Sequence, residues 1–430
     1  MKFQIEDVTV NFPYDQQRVK RRRTLSSEIP HEILWSEILP RLPAKSVLRF
    51  KSVSKQWYSL LTSQMFKNTH FNHITNNDRQ NPNKILLLSS SSCEFRTIDC
   101  ESPELSVTRN PRPLPFTPPR PKKVVILASC HGLVCAGVLT NSDSDYFSDL
   151  ILWNPLTSEF KTLSKTNYNK ECYADDSCQR FGLYYSSFDN DYKLISITKN
   201  FDVYGYSLKN DSWRNMVDST NSLKKILYLI YKCWRLCTWL DESLFFIKQD
   251  IIGYGIYGPW ECAIVRFDTK TERFTEIRVP YIFNKLDDWG RATSYFLTVQ
   301  RGKLHYYLQY DTSSTHTFLK GWSLNEVGKS WSCVETYMLS GLINNSIRPL
   351  YLMRNKDWVM KGFTGTECCV YRVSLNGDEK TNTTRDGDGT CTTSTQVNWN
   401  NVTDDITHEV RYMAQEVRYI ETFVSPNQYV

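Results

Sequence analysis

The chain has 430 residues, 40% hydrophobic and 23% charged, enough for a small module plus one large domain, or two medium ones, with a real core. Its 52 basic and 46 acidic residues leave a net charge of +6, a mild excess over a large surface that gives no strong case for nucleic acid. No apolar run approaches the ~18 residues of a membrane span, the first residues lack the basic-then-apolar order of a secretory leader, and 25 Tyr, 21 Phe and 12 Trp favour β-rich packing over coiled coil.

Residues 1–26 show little periodicity and end in the basic run Arg18-Val19-Lys20-Arg21-Arg22-Arg23. Such a run reads as a solvated, disordered tail, with nuclear import as the functional alternative. Residues 27–72 read as short helices broken by prolines. Pro30 suits a first helical turn, and Ile33, Leu34, Trp35, Ile38 and Leu39 follow before Pro40 interrupts the pattern. Pro43 can open a second helix with Val47, Leu48 and Phe50. Ser54 can cap a third with Trp57, Leu60 and Leu61, and Ser63 a last turn through Met65 and Phe66. At roughly 100° per residue, Ile33 to Leu39 spread apolar groups over about 240° of the first helix, where a surface helix needs a stripe little wider than 100°. A unit this small is also marginal alone. One side of these helices must pack on its siblings and another on something else: the rest of the chain or a partner.

After a polar linker at 73–83 the texture changes to short β-like runs. Lys84-Ile85-Leu86-Leu87-Leu88 comes first, then Phe95-Arg96-Thr97-Ile98 and a proline-rich surface loop from Pro103 to Pro121. From Val124 a loose repeat sets in, an aromatic, a polar turn and a second aromatic: Trp153 to Phe160, Tyr206 to Trp213, Phe267 to Phe274 and Trp322 to Trp331. Each reads as a hairpin whose two aromatics meet across the turn. The closing aromatics recur about every 50 to 60 residues, close to the period of propeller blades with long loops. Strand-like runs precede each unit at Val124–Leu127, Tyr192–Ile197, Leu244–Lys248 and Tyr295–Val299. Residues 380–405, rich in Thr, Asn, Asp and Gly, read as a mobile insertion before a final strand.

Patterns that suggest chemistry weaken on inspection. Gly253-Tyr254-Gly255-Ile256-Tyr257-Gly258 satisfies G-x-G-x-x-G, but Pro259-Trp260 and a β-like run follow where a dinucleotide site needs a helix, so a glycine turn between strands is expected. Cys130-His131 with Cys135, Cys172 with Cys178, and Cys233 with Cys237 lack the doubled short spacing of a zinc site. The 13 cysteines read as reduced and mostly buried thiols. Asp386-Gly387-Asp388-Gly389 has Val397 where a calcium loop needs its twelfth-position acid. His70 and His73 are expected on the surface. No nucleophile with its base is identifiable, so no catalytic residue, metal or cofactor is expected.

Taken together, Ile29-Pro30, Glu37-Ile38-Leu39, Arg41-Leu42-Pro43, Lys45-Ser46, Arg49-Phe50 and Val53-Ser54-Lys55-Gln56-Trp57 resemble the F-box, with Ile29 where Leu is more usual. The later pieces Ser129-Cys130-His131-Gly132-Leu133, Trp153-Asn154-Pro155, Asp191-Tyr192-Lys193, Tyr206-Ser207-Leu208, Ser212-Trp213-Arg214, Phe267-Asp268 and Tyr419 to Pro426 resemble the F-box-associated domain of plant F-box proteins. The resemblance implies an α+β multidomain chain: a short all-α F-box module, then a large all-β domain over 84–430, an irregular β-propeller of about six blades closed by a strand near Tyr419–Val424. It further implies a non-catalytic substrate receptor of an SCF ubiquitin ligase, with the Skp adaptor, a cullin and an unknown target protein as partners, in the cytoplasm or nucleus. Candidate residues for adaptor contact and its support are Ile29, Pro30, Ile33, Leu39, Leu42, Pro43, Val47, Leu48 and Trp57. Tyr254, Tyr257 and Trp260 are candidates for target contact. A binding scaffold that does not degrade its ligand is the alternative, and an oxidase of the kelch type has only fold analogy behind it.

Overall fold

A computed structural model describes residues 30–77, 84–89, 93–102, 112–116, 123–139, 147–164, 180–198, 202–216, 237–250, 261–280, 291–312, 316–325, 330–340, 348–355, 357–364, 367–373, 381–385, 391–398 and 415–429. The basic tail and Ile29, the G-x-G-x-x-G run with Tyr254, Tyr257 and Trp260, and Cys172, Cys178 and Cys233 lie outside them.

Among the described residues, four short helical pieces precede six β-sheets that follow one another around a ring. Most sheets are four-stranded antiparallel meanders, each one blade of a propeller. Blade two holds Lys123–Cys130, Leu133–Leu139, Asp149–Trp153 and Phe160–Thr162, and blades three and four repeat the plan from Arg180–Ser186 and Thr238–Leu240. Blade five starts at Arg291–Gln300 and runs through Lys303–Thr312, His316–Leu324 and Trp331–Ser340, and blade six has three strands, starting at Arg348–Leu352.

A blade inside a ring is covered on both faces, and this explains strands with continuous apolar runs. In Lys84–Ser89, Leu86 and Leu88 pack toward blade two with Val124, Val134 and Trp153. The alternate Ile85 and Leu87 pack toward blade six with Leu350, Tyr351 and Val359. Blades two and three share Leu133, Cys135, Leu183 and Leu194, and blades three and four share Tyr184, Ile195, Leu244 and Phe267. Between blades five and six the Tyr307 and Trp358 rings meet edge to face at 5.5 Å.

The outer hairpins carry the aromatic repeat. Trp153 lies opposite Phe160, Tyr206 opposite Trp213 and Phe267 opposite Phe274, the last two pairs with ring centroids 5.2 and 4.8 Å apart. The fourth pair is displaced: Trp322 faces Cys333, and Trp331 faces Leu324. The paired positions flanking the turn are Leu324 and Trp331, with the same six-residue spacing as in the other hairpins, so Trp322 stands two positions too early to face Trp331; a β-bulge follows between Gly321 and Trp322. A Cβ on Gly321 would lie 2.4 Å from the Tyr307 ring, so the bulge sits where that aromatic presses on bare backbone.

The ring is closed by the carboxy-terminal strand, as expected, but that strand ends at Tyr419 rather than running from there to Val424. Gln415–Tyr419 pairs with Lys84–Ser89 and becomes the innermost strand of blade one, completed by Glu94–Asp99 and Arg112–Pro113. From this strand Arg418 donates through Nη1 to the Val299 carbonyl of blade five at 2.6 Å and through Nε to the Leu350 carbonyl of blade six. One side chain thereby joins the last two blades to the first. The span 380–405 is corrected. Instead of forming only a mobile insertion, it supplies strands Thr381–Arg385 and Cys391–Asn398, the second running parallel to Trp331–Ser340 at the outer edge of blade five. Its polar composition misled because an outermost strand needs backbone pairing more than a buried face.

The first two strands of blade two turn through His131 (φ 49°) and Gly132 (φ 87°), the two-residue loop in which both positions need positive φ. A Cβ on Gly132 would also come within 2.2 Å of Thr422 Oγ1 and 2.6 Å of the Ile420 carbonyl. Gly132→Ala is therefore expected to lower stability by roughly 1–3 kcal/mol through backbone strain alone, with displacement of residues 420–424 on top. Chemical denaturation, together with proteolysis of the carboxy-terminal segment, checks this.

Candidate docking surface on the helical module

The module is four pieces: α1 (His31–Ile33), α2 (Ala44–Phe50), α3 (Lys55–Thr62) and α4 (Gln64–Asn77). α1 runs on through a π-helical turn, Leu34–Ile38, into a 3-10 turn, Leu39–Arg41. Pro40 marks the change. It has no N–H to offer the Ser36 carbonyl and ends the regular helix, and just before it the Leu39 N–H bonds to the Leu34 carbonyl five residues back, the wider π turn. Pro43 precedes α2, and its carbonyl accepts from Ser46 and Val47. The Ser54 hydroxyl accepts from the Trp57 N–H at 3.2 Å, capping α3 as expected. Ser63 likewise caps α4 through Phe66, but α4 is a helix of 14 residues, where a single turn was expected, and extends into the span read as linker.

The candidate contact residues divide into two sets. Leu39 and Val47 are sealed at 1% and 0% exposure with Ala44, Leu61 and Phe66, and support the surface from within. Trp57 belongs largely with them, its ring 4.8 Å from that of Trp35 and 5.6 Å from that of Phe50. Leu42 and Leu48 are half-buried against the same core. Pro30, Ile33 and Pro43 face outward, Ile33 at 47%. Sequence reasoning missed Val53, Tyr58 and Met65, exposed at 60%, 58% and 81%. Tyr58 follows the inward Trp57 by one residue, about 100° around α3, which was the available signal.

The inner flank of the module is covered by the propeller. Leu156 of blade two and Phe423, just past the closing strand, are members of the helical core. His70 is the corrected histidine: it is fully buried on α4, between Phe66 and Phe423. Its Nε2 lies 3.0 Å from the Leu42 carbonyl, which can only accept, so this nitrogen carries the proton. Burial lowers its pKa to about 4, outweighing the support of that carbonyl. The next residue, Phe71, meets the His131 ring at 4.9 Å.

These contacts mark one face of the ring. In blade two, antiparallel order places the first-to-second and third-to-fourth strand turns, His131–Gly132 and the turn after Asn154, on that face, and blades three and four follow the same order. The strand ends Asp250 and Glu261, between which Tyr254, Tyr257 and Trp260 lie in sequence, point to the opposite face. Cys130 and Cys135 are buried, and burial pushes both thiols up, as it pushes Cys237 up to about 12. Among the described residues no group of three His, Cys, Asp or Glu side chains gathers as a metal site, and no helix is long and apolar enough to cross a membrane.

Comparison with known proteins agrees with both parts. Residues 26–69 match the family model described as an F-box domain, and residues 84–373, well over half the chain, match that described as an F-box associated beta propeller domain. A protein named in Arabidopsis thaliana as a probable F-box protein is 27% identical over 75% of this chain and 74% of its own length. The F-box protein CPR1 of the same plant is 24% identical over 79% and 80%.

The buried histidine gives a pH dependence with a definite sign. An unfolded histidine takes up a proton near pH 6.5, and folded His70 does so only near 4, so stability is lost as pH falls through that window. His131 and His305 are shifted the same way. His70→Gln keeps a donor for Leu42 and removes one titration. The fall in melting temperature between pH 7 and 4.5 is expected to be shallower in the variant.

Proposed function

This chain belongs to the F-box proteins that carry an F-box associated beta propeller domain, and we propose that it is the SCF substrate receptor that delivers a target protein for ubiquitination and proteasomal degradation. The observation that carries the reading is the division of the helical module into covered and open parts. One flank is closed by Leu156 and Phe423. Elsewhere on the module Pro30, Ile33, Pro43, Val53, Tyr58 and Met65 are open to solvent, and this apolar exposure on a small helical unit supports a docking role. On this reading the open part binds the Skp adaptor, which joins the chain to the cullin.

The receptor itself does no bond chemistry. Holding a target's lysines near the charged ubiquitin carrier turns a bimolecular encounter into one at high effective concentration, and that is its contribution to rate. Target contacts are assigned to the propeller face turned away from the helices, with Tyr254, Tyr257 and Trp260 as candidates. We assign the site of action to the cytoplasm or nucleus.

Co-purification with the adaptor tests the first step. Ile33→Asp combined with Tyr58→Asp is expected to weaken adaptor binding roughly tenfold or more, since each buried apolar side chain is worth about 1.5–3 kcal/mol, while the propeller's melting transition stays in place. No association of the unaltered chain would overturn the assignment. The second step is read from target half-life after deletion of residues 27–71: stabilisation of the captured protein supports degradation, and unchanged abundance with binding intact favours the scaffold role.

A further inference from the structure

Residues 420–424 follow the closing strand without regular secondary structure, and their successive side chains reach different parts of the molecule. The odd positions serve the helical module. Glu421, 7% exposed, pairs with Lys45 of α2 at 3.0 Å through an oxygen that also accepts from the Tyr419 hydroxyl at 3.3 Å. Phe423, 3% exposed, completes the helical core, with the Lys51 ammonium 4.8 Å from its ring centre and the His70 ring 4.9 Å away. The even positions serve the propeller. Thr422 Oγ1 donates to the His131 carbonyl at 2.7 Å, and Val424 packs into the core shared by blades two and three. The carbonyls of Thr422 and Val424 both accept from the buried Asn154 amide, at 2.9 and 2.8 Å.

We propose that this two-sided strap fixes the orientation of the helical module on the propeller, and that Phe423 is a positioning residue for ubiquitin transfer. The second half of this proposal rests on the substrate-receptor reading above; the first does not. A covalent connection between the two parts sets a maximum distance but leaves orientation free. The strap removes that freedom because its residues cannot satisfy one partner without being held against the other. A receptor that acts by proximity alone gains from such a fixed angle, since target lysines then stay at one distance from the ubiquitin carrier.

The test uses the full chain, alone and with the adaptor added, with fluorescent unnatural amino acids at Asn68 of α4 and Lys209 of the blade-three turn, both exposed. Single-molecule energy transfer is expected to show one narrow distance in the unaltered chain. Lys45→Glu sets a like charge against Glu421 on the surface of the module without touching the core; it is expected to broaden the distribution at least twofold while adaptor affinity changes less than threefold. Adding Glu421→Lys restores the pair and is expected to restore the narrow distance. Phe423→Ala broadens it further, and in a reconstituted ligase spreads self-ubiquitination over more propeller lysines. Distributions as narrow as in the unaltered chain for both Lys45→Glu and Phe423→Ala would overturn the strap. Broadening with an unchanged lysine pattern would overturn the role in transfer. Failure of the unaltered chain to bind the adaptor would instead remove the receptor reading and leave the distance result standing.

Discussion

One buried amide holds the two halves of this molecule in register. Asn154 has no exposed surface, and all of its hydrogen-bonding capacity in the structure is used: its nitrogen serves the carbonyls of Thr422 and Val424, and its oxygen accepts from the Leu156 and Thr157 backbone. A buried amide with satisfied partners is rigid, and one deprived of them is costly. The same side chain therefore shapes the turn of a blade-two hairpin, seats the segment beyond the closing strand and places Leu156 into the helical core. Closure of the ring and attachment of the module are not separate problems in this chain.

Around that point the propeller is held by burial on both sides of strands such as Lys84–Ser89, Leu133–Leu139 and Asp149–Trp153. Alternation along Ile85, Leu86, Leu87 and Leu88 feeds two different inter-blade cores, so a loss at one seam is felt at the next. The helical module lacks this redundancy. Its core is a handful of side chains, two of them borrowed from the sheets, and its outer flank remains uncovered.

Much of this was legible in the sequence because it depends on neighbours. Proline-broken helices, the Ser54 cap and the outer hairpins with Tyr206 facing Trp213 and Phe267 facing Phe274 are local matters, and a period-two or period-3.6 pattern records them. The Trp322–Trp331 pair was misread: eight residues separate its aromatics where six separate those of the other hairpins, and the pairing sets Leu324 opposite Trp331. His70 looked like a surface residue beside a polar helix end. What buries it is Phe423, more than 350 positions away in the chain, and no helical periodicity registers so distant a ring. Likewise Tyr419 to Pro426 could be tied to ring closure by resemblance, but the division of Glu421 and Phe423 from Thr422 and Val424 follows only from what stands on either side.

The strap also has a consequence for the order of assembly. Chains fold as they emerge, amino-terminal parts first. Here the helices are synthesised first, yet Phe423 reaches them only after every blade-forming strand has been made. Until then the module lacks a core residue and the ring lacks its innermost closing strand. A chain released early would carry an imperfect helical module on an open ring. Competence to recruit is thus coupled to completion, a form of proofreading written into the topology.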